Sequence, residues 1–390
     1  MTATRIEKIE TFQIPPRWLL VRVTTADGAA GWGECIVPKR VRAVTGAVAD
    51  LADNVVGRDA RHIEDLWQRM YRGGFFRGGP ILATASAGIE QALWDLKARA
   101  VGLPVHDFLG GAVRERIRAY AWVGGDAPAD VVEHARERVE QGFTAVKMNA
   151  TATADHLDRR AVVDDVLGRV GALRDAFGAD LDIALDFHGR VPRTVAKILL
   201  RELEPFRLLW VEEPITPDTD DALRHVVPPG SSVPIATGER LTSRWQVKEL
   251  LAAGVVDILQ PDVSLTGLFE LEKIARMAEP YDVAVAPHCP NGPVSLAASL
   301  QVGFCCPNVV IQEQSGGIHY HQGYAGLPAA DLFDYLRDPD PLRTPDGYFR
   351  HGTAPGLGID VDDDAVQAAV AQWRLPDPDW RHDDGRYAEW

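Results

Sequence analysis

Three acidic residues, Asp186, Glu212 and Glu239, follow short apolar runs at intervals of 26 and 27 residues. Each acid taken alone has an ordinary explanation as the polar end of a strand. Three carboxylates brought together would repel one another unless a cation lay between them, and an all-oxygen site suits Mg2+ better than zinc. Because the three acids keep step with the repeat, we predict that they hold one Mg2+ per subunit.

Two histidines and a lysine follow the same pattern of strand ends. His288 comes one repeat after Asp262, and a neighbouring carboxylate can orient an imidazole and raise its basicity, as a general base requires. His188 lies two residues beyond Asp186, so strand alternation predicts that both side chains share a face. Lys147 interrupts the apolar run "FTAVKMN" and is predicted to place a cation beside a substrate carboxylate.

This combination of groups suits the abstraction of a proton next to a carboxylate. The metal and Lys147 would stabilise the resulting enediolate, His288 would take the proton, and His188 would protonate the departing group. If a β-hydroxyl departs, the reaction is a dehydration. Glu313 has two interpretations: a protonated carboxyl there could donate to the developing oxyanion, or it could make a hydrogen bond in the core.

The elements that carry these residues repeat along the chain. From Asp186 to Glu313 the polar strand ends are separated by 26, 27, 23, 26 and 25 residues, which is the length of one βα unit. The stretches between them, such as "RTVAKILLRELEP" and "RWQVKELLAAG", have helical periodicity. Eight such units predict a TIM-type (β/α) barrel with its site at the carboxyl ends of the strands. The doubly wound alternative would carry a G-x-G-x-x-G turn, which this sequence lacks.

The N-terminal part of the chain has a different organisation. Alternating strands and a turn at Asp27 and Gly28 precede helical segments, which predicts an α+β capping domain. We therefore predict an α/β protein with three parts. The capping domain spans residues 1–115, the barrel with the metal and catalytic residues spans 116–325, and a C-terminal segment that packs back on the cap spans 326–390.

Composition limits the partners of this protein. The 390 residues carry a net charge of −15 and no basic run, which argues against nucleic acid or an anionic membrane as a partner. No stretch approaches 18 apolar residues, and the first residues have no signal-peptide core. The four cysteines follow neither a metal nor a disulfide pattern. We expect a cytoplasmic protein.

Several motifs resemble the enolase superfamily. "LDFHGRV", "VEEP", "ATGER", "QPD", "APHCP" and "IQEQ" occur in order after a cap, and the Asp and His on strands six and seven resemble the mandelate racemase subgroup. Within that subgroup "PPRW", "MYRGGFFRGGPIL", "YAWVGGD" and the ending "WRH.D...AEW" look like the D-galactonate dehydratases. The resemblance covers essentially the whole chain. It implies a Mg2+-dependent acid-sugar dehydratase that acts on D-galactonate or a close epimer and forms a 2-keto-3-deoxy sugar acid.

The resemblance also implies roles for single residues. The same three acids would bind Mg2+, His288 would be the base tuned by Asp262, His188 the acid that assists loss of the 3-hydroxyl, and Glu313 a group that stabilises the intermediate. Asn149 stands where racemases of the subgroup have a second Lys, which favours dehydration from one face over racemisation, and we assign it as a substrate contact.

The sequence also contains candidate specificity residues. Arg17 and Trp18, in "PPRW", and His319 are candidate substrate contacts, and a cap-to-barrel contact explains Arg17 equally well. Three positions depart from the expected family pattern near the barrel mouth, where loops select the substrate. These positions are Leu265, Leu268 and Asn291.

Two kinds of alternative function remain: another enzyme of the same fold, or a protein that binds a sugar acid without catalysis. A cycloisomerase or an epimerase of sugar acids would start from the same enediolate, although Asn149 counts against epimerisation. A non-catalytic sugar-acid binding protein would have no need of a His and Asp pair. The expected partner is a small sugar acid, and relatives of this fold lead us to expect a homo-oligomer.

Overall fold

The computed structural model describes residues 4–125, 127–151, 154–157, 159–318, 321, 328–371, 375, 377, 379–382 and 384–389. The chain begins with a three-stranded antiparallel sheet in the order β1-β2-β3. Its strands are β1 (Ile6–Ile14), β2 (Trp18–Thr25) and β3 (Ala30–Glu34). Gly28 has a φ of +83° in the turn between β2 and β3, as the sequence predicts for a tight hairpin.

Four cap helices follow this sheet, and the longest of them lies between the cap sheet and the barrel. The helices are α1 (Val41–Val55), α2 (Ile63–Arg72), α3 (Pro80–Arg99) and α4 (Val105–Phe108). Residues 84–96 of α3 are all buried. Strand β3 lies so close to α3 that a Cβ on Gly33 would come within 1.9 Å of the Gly88 carbonyl oxygen. Glycine is therefore required at this crossing.

Eight parallel strands form the second domain. They are β4 (Arg116–Trp122), β5 (Ala145–Asn149), β6 (Asp182–Asp186), β7 (Trp210–Glu212), β8 (Ile235–Thr237), β9 (Ile258–Leu259), β10 (Ala284–Val285) and β11 (Gln312–Glu313). Neighbouring strands pair in the order β10-β9-β8-β7-β6-β5-β4-β11. The Val285 amide donates to the Asn308 carbonyl, and the Val310 amide donates to the Val285 carbonyl, which closes the ring. The predicted TIM-type barrel is confirmed.

Helices on the outside of the barrel connect most of these strands. They are α5 (Pro128–Glu140), α6 (Arg159–Phe177), α7 (Arg193–Glu202), α8 (Arg244–Ala253), α9 (Val263–Ala278) and α10 (Pro293–Cys305). Between β7 and β8 the chain forms a 3-10 stretch, Pro217–His225, in place of an α-helix. Helix α9 is interrupted at Gly267, whose φ is +78°.

Inward-facing side chains fill the barrel below the strand ends. Tyr120 and Trp210 meet edge to face, with ring centroids 5.4 Å apart. Mostly small residues surround these two rings in the same buried cluster: Ala145, Ala184, Ala236, Ile258, Ala286 and Ile311. The large and small side chains together form a packed layer, which is the floor of the site above it.

The C-terminal part contacts both domains. Strand β12 (Tyr348–Arg350) pairs antiparallel with β4. Helix α11 (Asp363–Ala369) packs against β1, and the Tyr335 hydroxyl donates to the Pro15 carbonyl at 2.9 Å. Strand β4 begins at Arg116. The three domain ranges remain predictions.

Candidate active site

Three carboxylates meet at the carboxyl ends of neighbouring strands. Asp186 ends β6, Glu212 ends β7, and Glu239 lies two residues after β8. One ligand oxygen from each lies within 4.8 Å of the other two, which is close enough to share one metal ion. Asp186 and Glu212 are fully buried. Burial and the adjacent Glu212 hold the pKa of Asp186 well above its ordinary value.

The donor set fits a hard divalent cation. Glu239 Oε2 is buried and makes no hydrogen bond within the part of the chain that the structure describes, and the nearest cationic group is His288, whose Nε2 lies 3.4 Å away. A buried carboxylate oxygen without a donor is costly unless a cation approaches it. The other two acids are held in place: Trp210 Nε1 and Gln260 Nε2 donate to Glu212 Oε2 at 3.0 and 2.7 Å, and the His188 amide donates to Asp186 Oδ1 at 2.7 Å.

Lys147, on β5, lies beside this acidic group. Its Nζ is 2.8 Å from Glu212 Oε1, 2.8 Å from Glu313 Oε1 and 4.0 Å from Asp186 Oδ2. Burial opposes the charge on Lys147, but Glu212 and Glu313 outweigh burial and hold its pKa well above the ordinary value. Lys147 is therefore a permanent cation at the barrel mouth, as the apolar run around it suggested.

His188 lies next to Asp186, but strand alternation is not the reason. Strand β6 ends at Asp186, and His188 occupies the following turn with a φ of +49°. Its Nε2 is 3.0 Å from Asp186 Oδ2. Burial lowers the pKa of His188 to about 3, although Glu239 acts in the opposite direction. In the ligand-free protein the imidazole is neutral, and a nearby anionic ligand would favour its charged form.

His288 and Asp262 form the predicted pair. His288 Nδ1 is 2.8 Å from Asp262 Oδ2, so Nδ1 donates to this carboxylate and Nε2 faces the other acids. Nε2 lies 3.4 Å from Glu239 Oε2 and 3.9 Å from Glu313 Oε2. Burial opposes the charge on His288, but Glu239 and Glu313 raise its pKa to about 10. A cation that offset the charge of Glu239 would bring this pKa down towards the range of a general base.

The remaining predicted residues occupy varied positions. Glu313 ends β11, and its Oε2 accepts a hydrogen bond from the Cys289 amide at 2.8 Å. Asn149 ends β5 opposite Asp186, and its Oδ1 makes no hydrogen bond to a residue described here. Arg17 donates through Nη2 to the Pro290 carbonyl at 3.0 Å, which is a cap-to-barrel contact.

Trp18 is fully buried and meets the Tyr335 ring edge to face. His319 lies outside the described residues. The substrate contacts assigned to Arg17, Trp18, Asn149 and His319 remain predictions, as do the roles of the catalytic residues.

Other residues beside the acids and histidines contact them, although the sequence predicted no role for these residues. Arg240 donates through Nη2 to the His188 carbonyl at 2.9 Å and lies 2.9 Å from Glu213 Oε2. Asn291 donates through Nδ2 to Asp262 Oδ2 at 2.9 Å. Arg240 and Glu213 directly follow the metal candidates Glu239 and Glu212 in sequence. This adjacency is the sequence feature that could have identified them as part of the site. Asn291 was noticed only as a departure from the family pattern.

Leu265 and Leu268 have different environments. Leu265 is half-buried and lines a cavity of about 230 Å³ between the cap and the barrel, together with Thr266 and Thr242. Leu268 is fully buried in the core.

No helix among the residues that the structure describes is long and apolar enough to cross a membrane. This agrees with the sequence, in which no apolar stretch of that length occurs.

The fold and the site together define a class: a two-domain barrel enzyme with a candidate metal centre at the barrel mouth and an α+β cap beside it. Residues 10–110 match the N-terminal domain of mandelate racemase and muconate lactonizing enzyme, and residues 130–365 match the enolase C-terminal domain-like family. The chain belongs to the mandelate racemase and muconate lactonizing enzyme family of the enolase superfamily. The resemblance seen in the sequence is confirmed.

Curated relatives match nearly the whole length of the chain. It is 47% identical over 390 residues to a D-galactonate dehydratase of Ralstonia nicotianae. The alignment covers 99% of this chain and 100% of the relative. A D-galactonate dehydratase of Cronobacter sakazakii is 45% identical with the same coverage. A solved enolase structure from Agrobacterium radiobacter, bound to sodium and L-malate, matches with a TM-score of 0.88 at 30% identity over 98% of this chain and 99% of the other.

Proposed function

We propose that this protein is a Mg2+-dependent hydro-lyase that dehydrates D-galactonate or a close epimer to a 2-keto-3-deoxy sugar acid. The observation that carries the proposal is the 47% identity to a D-galactonate dehydratase over the full length of both chains. The site supports it, because the acids, the two histidines and the lysine that this chemistry needs meet at one end of the barrel.

Asp186, Glu212 and Glu239 are the residues that would hold the cation. When bound, Mg2+ would supply positive charge that stabilises the negative charge developing on the substrate carboxylate. The protein contributes a second positive charge, since Lys147 stays protonated between Glu212 and Glu313. Both charges act in a buried site, where electrostatic stabilisation is stronger than in water.

The two histidines divide the proton transfers. His288 presents Nε2 to the site because Asp262 holds its Nδ1, so His288 is suited to take the α-proton. His188, on the turn after β6, is suited to protonate the 3-hydroxyl, which then leaves as water. The enol would then accept a proton at C3, lose its hydroxyl proton at C2 to solvent and become the keto product. We assign the stabilisation of the intermediate to Glu313, and the hydrogen bond from the Cys289 amide to its Oε2 supports this by holding the side chain in one position.

A panel of aldonic and aldaric acids tests the reaction and the substrate together. The purified protein is incubated with Mg2+ and each acid, mass spectrometry detects the loss of water, and proton magnetic resonance detects an isomer of equal mass. We expect D-galactonate or a close epimer to lose one molecule of water. Conversion of an acid to an isomer of equal mass would indicate a cycloisomerase or an epimerase, and binding without conversion would indicate a sugar-acid binding protein.

We retain the homo-oligomer expected from the sequence as a proposal. Sedimentation velocity of the purified protein tests it: an even multiple of the 42.7 kDa chain is expected, and a monomer would contradict it.

A further inference from the structure

The segment that carries the general base is fastened by a carboxylate from the cap. Glu34, the last residue of β3, accepts hydrogen bonds from the Gly292 amide at 2.7 Å and from the Ser295 amide at 3.0 Å, one on each oxygen. Glu34 is fully buried. Gly292 lies four residues after His288 and precedes α10, so Glu34 fixes the point at which the His288 segment enters that helix.

A second cap residue ties Glu34 to the segment that carries Asp262. Gln91, on α3, accepts from the Glu34 amide at 3.1 Å and donates to the Glu34 carbonyl at 3.1 Å. The same Gln91 Nε2 donates to the carbonyl of Val263 at 3.0 Å. Val263 directly follows Asp262. The Glu34 and Gln91 pair therefore touches the chain beside both members of the His288 and Asp262 dyad.

The chemistry of Glu34 matches this arrangement closely. Two amides at the start of a helix need two acceptors, and the two carboxyl oxygens of Glu34 provide one for each. A glutamine would offer one acceptor and would turn an NH2 group towards the second amide. An aspartate would keep the charge but would withdraw it by about 1.5 Å, the length of one C–C bond.

We propose that Glu34, together with Gln91, is a positioning residue for the proton-abstraction step: the cap sets the placement of His288 relative to Asp262. Glu34 touches neither the acidic triad nor the imidazole, so it acts through Gly292 and Ser295. The inference rests on the proposed function for its kinetic test, because turnover is measured on a sugar acid. A spectroscopic test is independent of turnover.

A matched control exists in the same cap helix. Glu90 is also fully buried, and it accepts hydrogen bonds from the Leu268 amide at 2.8 Å and the Phe269 amide at 3.0 Å. These amides lie beyond the interruption of α9 at Gly267, whereas Gln91 holds the Val263 carbonyl next to Asp262. Glu90 therefore makes the same kind of cap-to-barrel contact without fastening the dyad.

The experiment compares Glu34→Gln, Glu34→Asp and Glu90→Gln in the full-length protein with saturating Mg2+. The substrate is whichever acid the wild type dehydrates, and the measurements are kcat, KM and exchange of the substrate α-proton with deuterium. Because misplacing catalytic groups by about 1 Å can cost roughly a hundredfold, we expect kcat and exchange to fall about ten- to a hundredfold in both Glu34 variants, with KM nearly unchanged. Glu90→Gln should keep kcat within about twofold and lose only thermal stability.

The nuclear magnetic resonance signal of the His288 Nδ1 proton gives the spectroscopic readout. We expect the signal to move or disappear in both Glu34 variants and to stay in place in Glu90→Gln. A folded Glu34→Gln with wild-type kcat and an unmoved signal would overturn the proposal. Wild-type kcat in Glu34→Asp beside a slow Glu34→Gln would also overturn it, because charge rather than position would then be responsible.

If neither Glu34 variant folds, Gln91→Met keeps Glu34 and removes its tie to Val263. A reduced kcat and a moved His288 signal would support the proposal, and an unchanged kcat with an unmoved signal would contradict it. An inactive wild type would instead reject the proposed function, and the His288 signal would still decide whether the cap positions the dyad.

Discussion

The two site histidines have opposite tendencies to hold a proton. Burial dominates at His188 and lowers its pKa to about 3, whereas the acids around His288 outweigh burial and raise its pKa to about 10. The proposed roles need the reverse at the moment of reaction. Cation binding beside Glu239 and arrival of an anionic substrate act in the required directions, so the ligand-free protein and the loaded enzyme should differ in where these protons lie.

Replacing His188 separates the two proton transfers. In His188→Asn we expect elimination to fall by at least roughly a hundredfold, since the general acid is lost. Exchange of the substrate α-proton with solvent deuterium should persist, because His288 remains. Proton magnetic resonance of the substrate in deuterium oxide measures both. Loss of exchange together with elimination would mean that the two histidine roles are wrongly assigned.

Removing one charge from the acidic triad tests the metal site without any turnover. Glu239→Gln is expected to weaken Mg2+ binding by roughly tenfold or more, because a neutral amide is a poorer ligand for a hard cation. Isothermal titration with Mg2+ measures the change. The variant Glu249→Gln, at an exposed position of α8, serves as the control and should bind Mg2+ as the wild type does. Equal affinity in both variants would exclude Glu239 as a ligand.

The sequence was sufficient to find the polar residues at the strand ends. It was less informative about the residues that hold them in position. A regular interval identified the three acids, His288 and Asp262 because a barrel repeats with the period of its βα units. His188 was placed correctly beside Asp186 although it sits in a turn rather than on the strand. Contacts such as that of Arg240 with the His188 carbonyl depend on loop geometry, which has no period to detect.

Strand β3 and helix α3 cross at backbone contact, and this crossing supports Glu34. Gly33→Ala would place a methyl group within 1.9 Å of the Gly88 carbonyl oxygen, so we expect a loss of about 1–3 kcal/mol in the free energy of unfolding. Gly46→Ala makes the same chemical change at an exposed position of α1 with open space around it, and should gain about 0.5–1 kcal/mol. Urea unfolding measures both. If both substitutions raised, or both lowered, the free energy of unfolding, the close contact between β3 and α3 would be contradicted.

The order of elements followed from the sequence, but two local features did not. The helical periods predicted α7 and α8, and alternation predicted the cap strands. The 3-10 stretch after β7 and the interruption of α9 at Gly267 were not predicted. The interruption at Gly267 is stabilised from the cap, because Glu90 accepts hydrogen bonds from the Leu268 and Phe269 amides that follow it. A contact with another domain leaves no trace in local periodicity.

The cap and the barrel share buried acids, so the stability of the whole molecule should depend on pH. Burial raises the pKa of Glu90 to about 8 from 4.5. Between these values the folded protein holds more protons than the unfolded chain, so the contribution of Glu90 is present below 4.5 and is lost as the pH rises towards 8. Between about pH 5 and about pH 8 the wild type should lose more unfolding free energy than Glu90→Gln. Parallel curves from chemical denaturation would contradict this.

The central claim is that the α-proton leaves first, the 3-hydroxyl then departs, and C3 takes a proton from solvent. Carbon and proton magnetic resonance of the reaction with D-galactonate and Mg2+ in deuterium oxide follows all three events at once. We predict a 2-keto-3-deoxy product that carries one deuterium at C3 and no hydrogen at C2. A product of the same mass as the substrate, or a keto product with only substrate-derived hydrogen at C3, would contradict the account.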